Sequence, residues 1–451
     1  MKKPTPRRLL ELAWLSASLL LLLFWMRSVI HARYQYPWES WLRLPWTQKL
    51  QPFELTLQRK FMGSRTLDPN QVPQVSESKL ENSLRSAADW LVFSQESNGR
   101  FKYWYDPQRD EYSSNAEDSF HRQAMASYSL VLAYEMSGDR RYLESAQKSL
   151  EYLSASLKDL APDKSYFYAE EQADLGGTAL PMLSMIKLRE LTGDKAYDEK
   201  LKKLANFLIF LQGKYATGEF KSTYVYRGNE DVEKDLGWQS PISPGQAMLA
   251  LARMHHNFGD SIYKDSFDKA FKFYSNEKYW KQEAFLPWTI AAFTSLYFDT
   301  ADTAYADYVS KLTDYLIDGQ NLSGPDAVRG SFSSFPSITS ASYLEGLGDA
   351  VCAMQERKDP SRTSSYIDRA KLGYFWLMNL QFDPTNSKKW HSSARTNGGF
   401  PQSRYDFQIR IDYNAHAISA FSRGLRCVFG KKPAIFPVLA AYSESAQPGK
   451  K

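Results

Sequence analysis

Tyr134-Glu-Met-Ser-Gly-Asp139, followed by Tyr142, is the first of three clear copies of one junction in this chain of 451 residues. The other two are Leu188-Arg-Glu-Leu-Thr-Gly-Asp194, followed by Tyr197, and Met254-His-His-Asn-Phe-Gly-Asp260, followed by Tyr263. Looser copies lie at 299–305 and 358–366. Glycine accepts the left-handed conformation that ends a helix, and aspartate can cap the amides of the next one. Recurrence at about 40 to 65 residues predicts stacked helical hairpins rather than separate domains.

Twelve helices result when the chain is traced outward from these junctions. The helices before them are rich in Ala, Gly, Ser, Leu and Met, which predicts close packing and an inner position. The helices after them carry Lys and Glu on one face and are predicted to lie outside. The inner set is 118–136, 171–191, 243–257, 283–298, 339–356 and 409–425, and the outer set is 79–96, 140–157, 195–212, 261–275, 303–318 and 363–381. The predicted fold class is all-α, an (α/α)6 toroid of six helical hairpins.

The connections at the other ends of the hairpins are mostly long and rich in aromatic residues, which disfavours disorder. They are 97–117, 158–170, 213–242, 319–338 and 382–408. All lie beside the N-termini of the inner helices, where positive dipole ends and free amides favour anionic groups. We therefore expect the functional site on that face.

A second pattern places a glutamine at the end of an outer helix and a glycine near a phenylalanine after it. It reads Ser94-Gln-Glu-Ser-Asn-Gly-Arg-Phe101, Leu211-Gln-Gly-Lys-Tyr-Ala-Thr-Gly-Glu-Phe220, and Leu380-Gln381 with Gly398-Gly-Phe400. In this pattern residues 80–425 resemble the α/α-toroid proteins, both the six-hairpin glycosidases and the terpene cyclases and prenyltransferases. The resemblance implies the architecture and does not identify a reaction.

The motifs of two of these groups are missing. Protonation-driven terpene cyclases need an Asp-x-Asp-Asp motif, which the sequence lacks, and protein prenyltransferases need an Asp, a Cys and a His around zinc. Cys352 and Cys427 are the two cysteines; neither lies in a matching context, and the sequence leaves open whether they pair. Toroids that act on carbohydrate need carboxylates, a Tyr or His and aromatic platforms, all of which are plentiful.

The segment Arg410-Ile-Asp412-Tyr413-Asn-Ala-His416, at the start of the last inner helix, is the densest candidate site. Asp412 and His416 share a helix face, so the carboxylate can orient the imidazole and tune its pKa. Tyr413 offers a second proton donor and Arg410 an anion clamp. The alternative is a helix cap beside a buried histidine. The segment also resembles the Arg- and Tyr-bearing C-terminal segments of glucuronyl C5-epimerases, another toroid family.

Two further candidates open the first and second inner helices. Asp118-Ser-Phe-His121-Arg122 lies at the same end of the ring, with Asp118 and His121 three residues apart, and Arg122 could hold a carboxylate or sulfate; helix capping is the alternative. Glu171 and Asp174 have a spacing at which they could form an acid and base pair, although acids in a first turn also stabilise the helix dipole.

Tyr343-Leu-Glu345-Gly-Leu-Gly-Asp349 lies in the fifth inner helix. A carboxylate there must be paired or face the cavity, because burying it alone is costly. Two carboxylates one turn apart repel each other, so one is expected to have a raised pKa, as a general acid requires. We assign Glu345 and Tyr343 to the site and Asp349 to a salt bridge with an outer helix.

Trp238, Trp288 and Tyr105 are predicted platforms for sugar rings, with core packing as the alternative for each. His255 and His256 flank a junction at the other end of the ring and are expected at the surface. The sequence contains no zinc-protease spacing and no phosphate loop, so neither a metal nor a cofactor is predicted.

The formal net charge of +5 resides in the N-terminal segment. Residues 1–33 contain six cations and one anion, and the rest of the chain is neutral, which argues against a nucleic-acid partner. Residues 9–26 form an apolar run of about 18 residues, close to the ~20 that span a bilayer, and basic residues precede it. We expect an uncleaved transmembrane signal anchor, although a cleaved signal peptide shares these features.

The predicted organisation has five parts and places the main domain outside the cytoplasm. The parts are a cytoplasmic basic tail (1–8), the transmembrane anchor (9–30), an aromatic-rich linker or strap (31–76), the toroid domain (77–430) and a C-terminal tail (431–451).

The favoured interpretation is a membrane-anchored, extracytoplasmic enzyme that acts on a polysaccharide or oligosaccharide, including uronate-containing ones, by acid/base chemistry. Hydrolysis, elimination and C5-epimerisation all need an acid and a base across a sugar ring, and one sequence does not separate them. The alternatives are a non-catalytic polysaccharide-binding or assembly protein of the cell envelope and an isoprenoid- or lipid-processing toroid. The last of these requires an apolar cavity lined by aromatic residues.

Overall fold

The computed structural model describes residues 67–114, 117–214, 217–230, 240–332 and 336–438. The predicted anchor and most of the linker after it lie outside these ranges. Within the ranges, no helix combines the length and the apolar composition needed to cross a bilayer.

Twelve long helices follow one another in the described residues, close to their predicted positions. They are α1 (Glu77–Ser94), α2 (Phe120–Ser137), α3 (Arg140–Ser154), α4 (Leu175–Thr192), α5 (Asp198–Gly213), α6 (Ser243–Phe258), α7 (Ser261–Tyr274), α8 (Leu286–Thr300), α9 (Thr303–Asp318), α10 (Thr339–Arg357), α11 (Pro360–Met378) and α12 (Ile411–Arg423). A π-helix, Gly424–Val428, continues α12. Short helical segments lie at Pro69–Gln71, Glu277–Trp280, Glu283–Phe285, Ser387–Lys389 and Ser393–Thr396.

The even-numbered helices form an inner ring. Each of them packs against the next, and α12 packs against α2, which closes the ring. In α4 every residue from Leu175 to Leu191 is buried, as expected for a helix enclosed on all sides. The odd-numbered helices lie outside and bury one face each; α3, for example, exposes Glu144, Lys148 and Glu151. The predicted toroid of six hairpins is therefore confirmed.

The recurrent junctions are the turns that join each inner helix to the outer helix after it. Gly138, Gly193 and Gly259 end α2, α4 and α6 in the left-handed conformation. In the two looser copies Ala301 and Lys358 adopt that conformation instead. The carboxylate of the next residue caps the outer helix that follows at Asp139, Asp260, Asp302 and Asp359.

The two ends of the ring are named after their connections. The turn face is the end that carries the turns 138–139, 193–197, 259–260, 301–302 and 358–359. The loop face is the opposite end, where the inner helices begin and the long connections lie.

A glutamine at the end of four outer helices fastens each of them to a neighbouring outer helix. The Nε2 amide of Gln95 donates to the carbonyl of Gly99 in its own loop and to that of Ser145 in α3, at 3.0 and 2.9 Å. Equivalent pairs of bonds are made by Gln212, Gln320 and Gln381. The glutamine and glycine pattern is thus a structural device, and the copy at Gln320 was missed in the sequence.

The all-α prediction misses short strands in the long connections, eight of them in the part of the chain that the structure describes. They are β1 (Trp104–Asp106), β2 (Glu111–Tyr112), β3 (Leu157–Ala161), β4 (Lys164–Phe167), β5 (Gln172–Asp174), β6 (Thr223–Tyr226), β7 (Asn229–Glu230) and β8 (Ile409–Arg410). They form three antiparallel sheets in the orders β2-β1-β8, β3-β4 and β5-β6-β7. Trp104 pairs with Arg410 in the first sheet, which joins the loop before α2 to the start of α12.

Two features bear on the turn face. Cys352 of α10 and Cys427 of the π-helix form a disulfide. Residues 431–438 run across the ends of α2 and α4, where the amides of Ile435 and Val438 donate to the carbonyls of Glu135 and Glu190.

Candidate active site

A cavity of about 510 Å³ lies at the loop face, where the first turns of all six inner helices meet. Pockets of about 300 to 1,000 Å³ are typical for small-molecule ligands. Of the residues predicted from the sequence, the cavity is lined by His121, Arg122, Asp174, Trp288, Tyr343, Asp412 and His416.

Asp412 lies between two arginines at the edge of this cavity. Nε of Arg122 donates to Oδ2 of Asp412 at 3.1 Å, and Nε and Nη2 of Arg410 donate to Oδ1 and Oδ2 at 3.0 and 2.6 Å. Both guanidinium groups also lie over the ring of Tyr103. Burial alone raises the pKa of Asp412, but Arg410 and Arg122 outweigh burial and hold the pKa below its usual value. Asp412 therefore stays ionised and fixes Arg122 at the cavity wall.

His416 is held from behind by Glu345. Nδ1 of His416 lies 2.5 Å from Oε1 of Glu345, and Oε2 of Glu345 accepts a hydrogen bond from Ser419 at 2.8 Å. Nε2 of His416 has no hydrogen-bond partner among the described residues, so it is the nitrogen that can meet a ligand. Burial alone lowers the pKa of His416, but Glu345 and Asp412 raise it by more, and the pKa lies above its usual value.

His121 forms a second pair of this kind at the start of α2. Its Nε2 lies 2.9 Å from Oδ1 of Asp174, which also caps α4 by accepting from the amide of Gly177 at 2.7 Å. In the described part of the chain Nδ1 of His121 has no partner, and the side chain is 41% exposed. Burial lowers the pKa of His121, but Asp174 more than compensates and the net pKa is raised. Burial raises the pKa of Asp174, and His121 with the helix amides outweighs burial and lowers it.

One part of the cavity is neutral and rich in hydroxyl groups, and sequence analysis missed it. It is formed by Ser222, Thr223, Ser240, Ser243 and Gln246. A Cβ on Gly176 would come within 2.7 Å of Oε1 of Gln246, so glycine at this position lets α4 approach α6. Serines at the start of a helix are typical of caps. One signal of this part of the cavity was present in the sequence. Ser243 and Gln246 are polar, lie one turn apart and begin a helix that is otherwise apolar.

Three predicted catalytic residues lie away from the cavity surface. Glu345 is buried and reaches the cavity through His416. Tyr413 donates to Oε1 of Gln402 at 2.8 Å and packs under Arg410. Glu171 is exposed and adopts a left-handed conformation before β5, so the expected helical pair of Glu171 and Asp174 was wrong. The reason is that α4 begins only at Leu175.

The predicted aromatic platforms differ in whether they reach the cavity. Tyr105 is fully buried, and its hydroxyl donates to Asp110 at 2.7 Å, away from the cavity. Trp288 and Tyr343 line the cavity but are 6% and 9% exposed, so most of each ring packs in the core. Trp238 lies outside the described residues.

Asp349 forms the expected salt bridge with a different partner. Nε of Arg423 donates to its Oδ2 at 2.6 Å, and Arg423 belongs to the inner helix α12, whereas an outer helix was predicted. Glu345 and Asp349 are therefore both paired within the inner ring, and Arg423 contacts both, since its Nη1 lies 3.8 Å from Oε2 of Glu345.

Metal ligation is not indicated in the part of the chain that the structure describes, where no cluster of three or more His, Cys, Asp or Glu side chains could hold an ion.

No protein-family model and no curated protein matches this sequence. Solved structures do match. An inactive variant of an α-1,6-mannanase from Salegentibacter sp. HEL1_6, bound to α-1,6-mannotriose, has 10% identity and a TM-score of 0.54 and covers 77% of this chain and 99% of its own. Cellobiose 2-epimerase from Bacillus thermoamylovorans B4167 has 12% identity and a TM-score of 0.59, covering 77% and 98%.

An unsaturated glucuronyl hydrolase specific for heparin has 13% identity and a TM-score of 0.53, covering 77% and 97%. At these identities the similarity establishes the fold. The neighbours are six-hairpin toroid enzymes, in agreement with the resemblance seen in the sequence.

Proposed function

We propose that the chain is a carbohydrate-active enzyme that transfers protons at a sugar ring carrying an acidic group. The observation that carries the proposal is a pair of histidines, each backed by a carboxylate, that line one cavity. His416 and His121 both leave one ring nitrogen without a partner among the described residues. Imidazoles near their titration range are effective general acids and bases.

The charge states of the cavity carboxylates favour this chemistry over glycoside hydrolysis. Hydrolysis commonly needs one carboxylic acid with a raised pKa to protonate the leaving oxygen. Asp412 and Asp174, which line the cavity, both have lowered pKa values because of the cations and amides around them. As ionised carboxylates they can hold and polarise neighbouring side chains. The histidines are then the residues that transfer protons.

Arg122 supplies a site for the acidic group of the substrate. Its Nε is used by Asp412, and its two Nη groups have no hydrogen-bond partner within the described ranges. A guanidinium fork of this kind binds carboxylates well. When it binds the carboxylate of a uronate, it stabilises the negative charge that develops as the base removes the proton from C5. Return of a proton to the other face gives epimerisation, and protonation of the leaving oxygen gives elimination.

An extracytoplasmic, membrane-anchored location belongs to the same proposal. The charged and apolar pattern of residues 1–30 supports it, and so does the disulfide between Cys352 and Cys427. Disulfides persist in oxidising compartments and are rare in the cytosol. The charged side chains of Arg122, Asp174 and Asp412 in the cavity wall argue against isoprenoid or lipid chemistry, which would need a wall of aromatic residues without charges.

The test is a reaction in D2O with a panel of uronate-containing polysaccharides and their carboxyl-reduced counterparts. We expect deuterium at C5, or an ultraviolet-absorbing unsaturated product, from the acidic polymers only. His416→Ala should abolish either signal. New reducing ends without deuterium or unsaturation would assign hydrolysis instead.

A binding protein would give a different result. No product would form from any polymer, and affinity would survive in at least two of Glu345→Gln, Asp412→Asn and His416→Ala.

A further inference from the structure

The loop-face cavity has a charged part and a neutral part, and the proposed reaction uses only the charged one. The ionisable groups of the charged part belong to α2, β5 and α12 and are His121, Arg122, Asp174, Asp412 and His416. The neutral part is the hydroxyl-rich region formed by Ser222, Thr223, Ser240, Ser243 and Gln246. Among the described lining residues, those that α6, α8 and α10 contribute carry no charge.

Gln246 of α6 brings an unbonded carboxamide to the neutral part. The residue is 6% exposed and lines the cavity, yet neither Oε1 nor Nε2 of its side chain has a hydrogen-bond partner among the described residues. Gln212, at 5% exposed, shows the usual state of a buried carboxamide: its Nε2 donates to two backbone carbonyls, at 3.0 and 2.8 Å. Buried polar groups are nearly always hydrogen-bonded. The carboxamide of Gln246 is therefore available to a ligand in the cavity.

The neutral part continues directly from the charged part. A Cβ on Gly176 would lie 2.7 Å from Oε1 of Gln246 and 3.6 Å from Oδ1 of Asp174, so the two parts adjoin at this glycine. In the closed ring of six inner helices α6 lies opposite α12. With packed helices about 8 to 10 Å apart, the axes of these two lie about 16 to 20 Å apart. Gln246 and His416 are thus on opposite walls, with room between them for more than one sugar ring.

A second acidic sugar would be poorly accommodated in the neutral part. No cation lies there among the described lining residues, and the carboxylate of Asp174 adjoins it across Gly176. A carboxylate removed from water without a cation is costly, and two carboxylates close together repel each other. The neutral part therefore favours a ligand without charge.

We propose that the neutral part is a subsite for an uncharged sugar unit linked to the acidic unit, and that Gln246 is the residue that recognises it. The inference rests on the proposed function, because it takes the acidic unit to lie at Arg122. A carboxamide presents a donor beside an acceptor, which matches two adjacent hydroxyl groups or an acetamido group of a sugar. The substrate is then a chain in which acidic and uncharged sugars are neighbours. A run of acidic sugars alone does not fit.

The experiment measures binding by titration calorimetry to the full chain that carries His416→Ala, so that the ligand is not consumed. The ligands are three tetrasaccharides: glucuronic acid alternating with glucose, glucuronic acid alternating with N-acetylglucosamine, and glucuronic acid alone. We expect at least one alternating ligand to bind tenfold or more tightly than the acidic one, because a site with unpaired polar groups discriminates strongly.

Adding Gln246→Met, which keeps the length of the side chain and removes the amide, should weaken the preferred alternating ligand about tenfold. The affinity for the acidic ligand should change by less than about twofold. The alternating ligand that loses more identifies the recognised group, hydroxyl pair or acetamido.

Two controls separate recognition from general effects. Gln355→Met makes the same change in α10 at the turn face, outside the cavity, and should leave every affinity unchanged. Arg122→Gln, in the charged part, should weaken the alternating and acidic ligands by similar factors and so leave their ratio in place. Thermal unfolding of each variant checks that the fold is retained.

The proposal is overturned if the acidic ligand binds as tightly as both alternating ones, or if Gln246→Met weakens all three equally. It is also overturned if no alternating ligand binds, which would leave the neutral part to water. These results are distinct from those of the deuterium experiment. Exchange at C5 in purely acidic polymers alone would overturn the subsite and keep the proposed reaction. A preference for the alternating ligand without any exchange would keep the subsite and overturn the reaction.

Discussion

Both ends of the ring contain histidines paired with carboxylates, yet the pairs have different surroundings. At the loop face His416 and His121 pair with Glu345 and Asp174 and line a cavity of about 510 Å³. At the turn face His255 and His256 share Asp299. His256 is 37% exposed, and neither histidine lines the cavity at the loop face.

The difference shows that a histidine and carboxylate pair does not by itself make a site. The short turns of the turn face leave little chain around His255 and His256. The long connections of the loop face add strands, arginines and hydroxyl groups around His416 and His121. A ligand can be held only where these groups converge, which is why we place the reaction at the loop face.

The largest expected effect is on activity. His416→Ala should lower kcat/KM about a thousandfold, because a positioned acid or base typically contributes about 10² to 10⁴. His255→Ala removes a comparable pair at the turn face and should change kcat/KM by less than about twofold, since surface changes away from a site are small. Similar losses in the two variants would contradict the placement of the site.

The second expected effect is on the free energy of unfolding, compared between a glycine at each end of the ring. Gly398, at the loop face, has φ +83°, and a Cβ there would meet the carbonyl oxygen of Ser86 at 2.2 Å. Gly138, at the turn face, has φ +68°, and its nearest contact would be 3.4 Å away. Gly398→Ala should lower the free energy of unfolding by about 3 kcal/mol and Gly138→Ala by about 1 kcal/mol. Urea unfolding curves measure both, and the reverse order would contradict the close approach at Gly398.

The third effect concerns the pH dependence set by Glu345. Glu345 raises the pKa of His416 against the opposing influence of burial, so Glu345→Gln should lower that pKa. If His416 acts as the base, it must be deprotonated, and kcat/KM rises as pH rises through its pKa. The acidic limb of the pH profile of kcat/KM should therefore move to lower pH in Glu345→Gln. At the optimum pH, kcat/KM should fall roughly tenfold, because the imidazole ring of His416 is no longer held in its orientation.

Glu135→Gln is the matched control for this prediction. Glu135 is equally buried and paired, but it lines a separate cavity of about 90 Å³ near the turn face. Its replacement should destabilise the fold and leave the acidic limb in place. An equal shift in the two variants would mean that Glu345 acts through stability alone.

Much of the fold was predictable because its signals are local. A glycine that ends a helix and an aspartate that caps the next one are read from adjacent residues, so the turns and the twelve helices were found. Strands of two to five residues carry too little pattern, and β1 owes its existence to partners that include β8, far away in sequence. The false helical start at Glu171 has the same origin, because β5 forms by pairing with β6.

The site was partly predictable for a related reason. Polar residues in the first two turns of an inner helix lie near the loop end, so Arg122, Asp412 and His416 could be identified. The position of Glu345 behind His416 depends on how α10 packs against α12, which no local pattern reveals. The neutral, hydroxyl-rich part of the cavity that includes Gln246 was missed, because serines at the start of a helix are usually helix caps.

Closure of the ring by α12 has a consequence for how the protein is made. Arg122 and Asp412, which hold each other at the cavity, are separated by 290 residues. Chains are synthesised from the N-terminus, and early segments fold before late ones emerge. The first five inner helices can pack together while the cavity still lacks His416, Asp412 and Arg410. The proposed catalytic centre is therefore completed only by the last helix of the ring, and a nascent chain stays inactive until that helix docks.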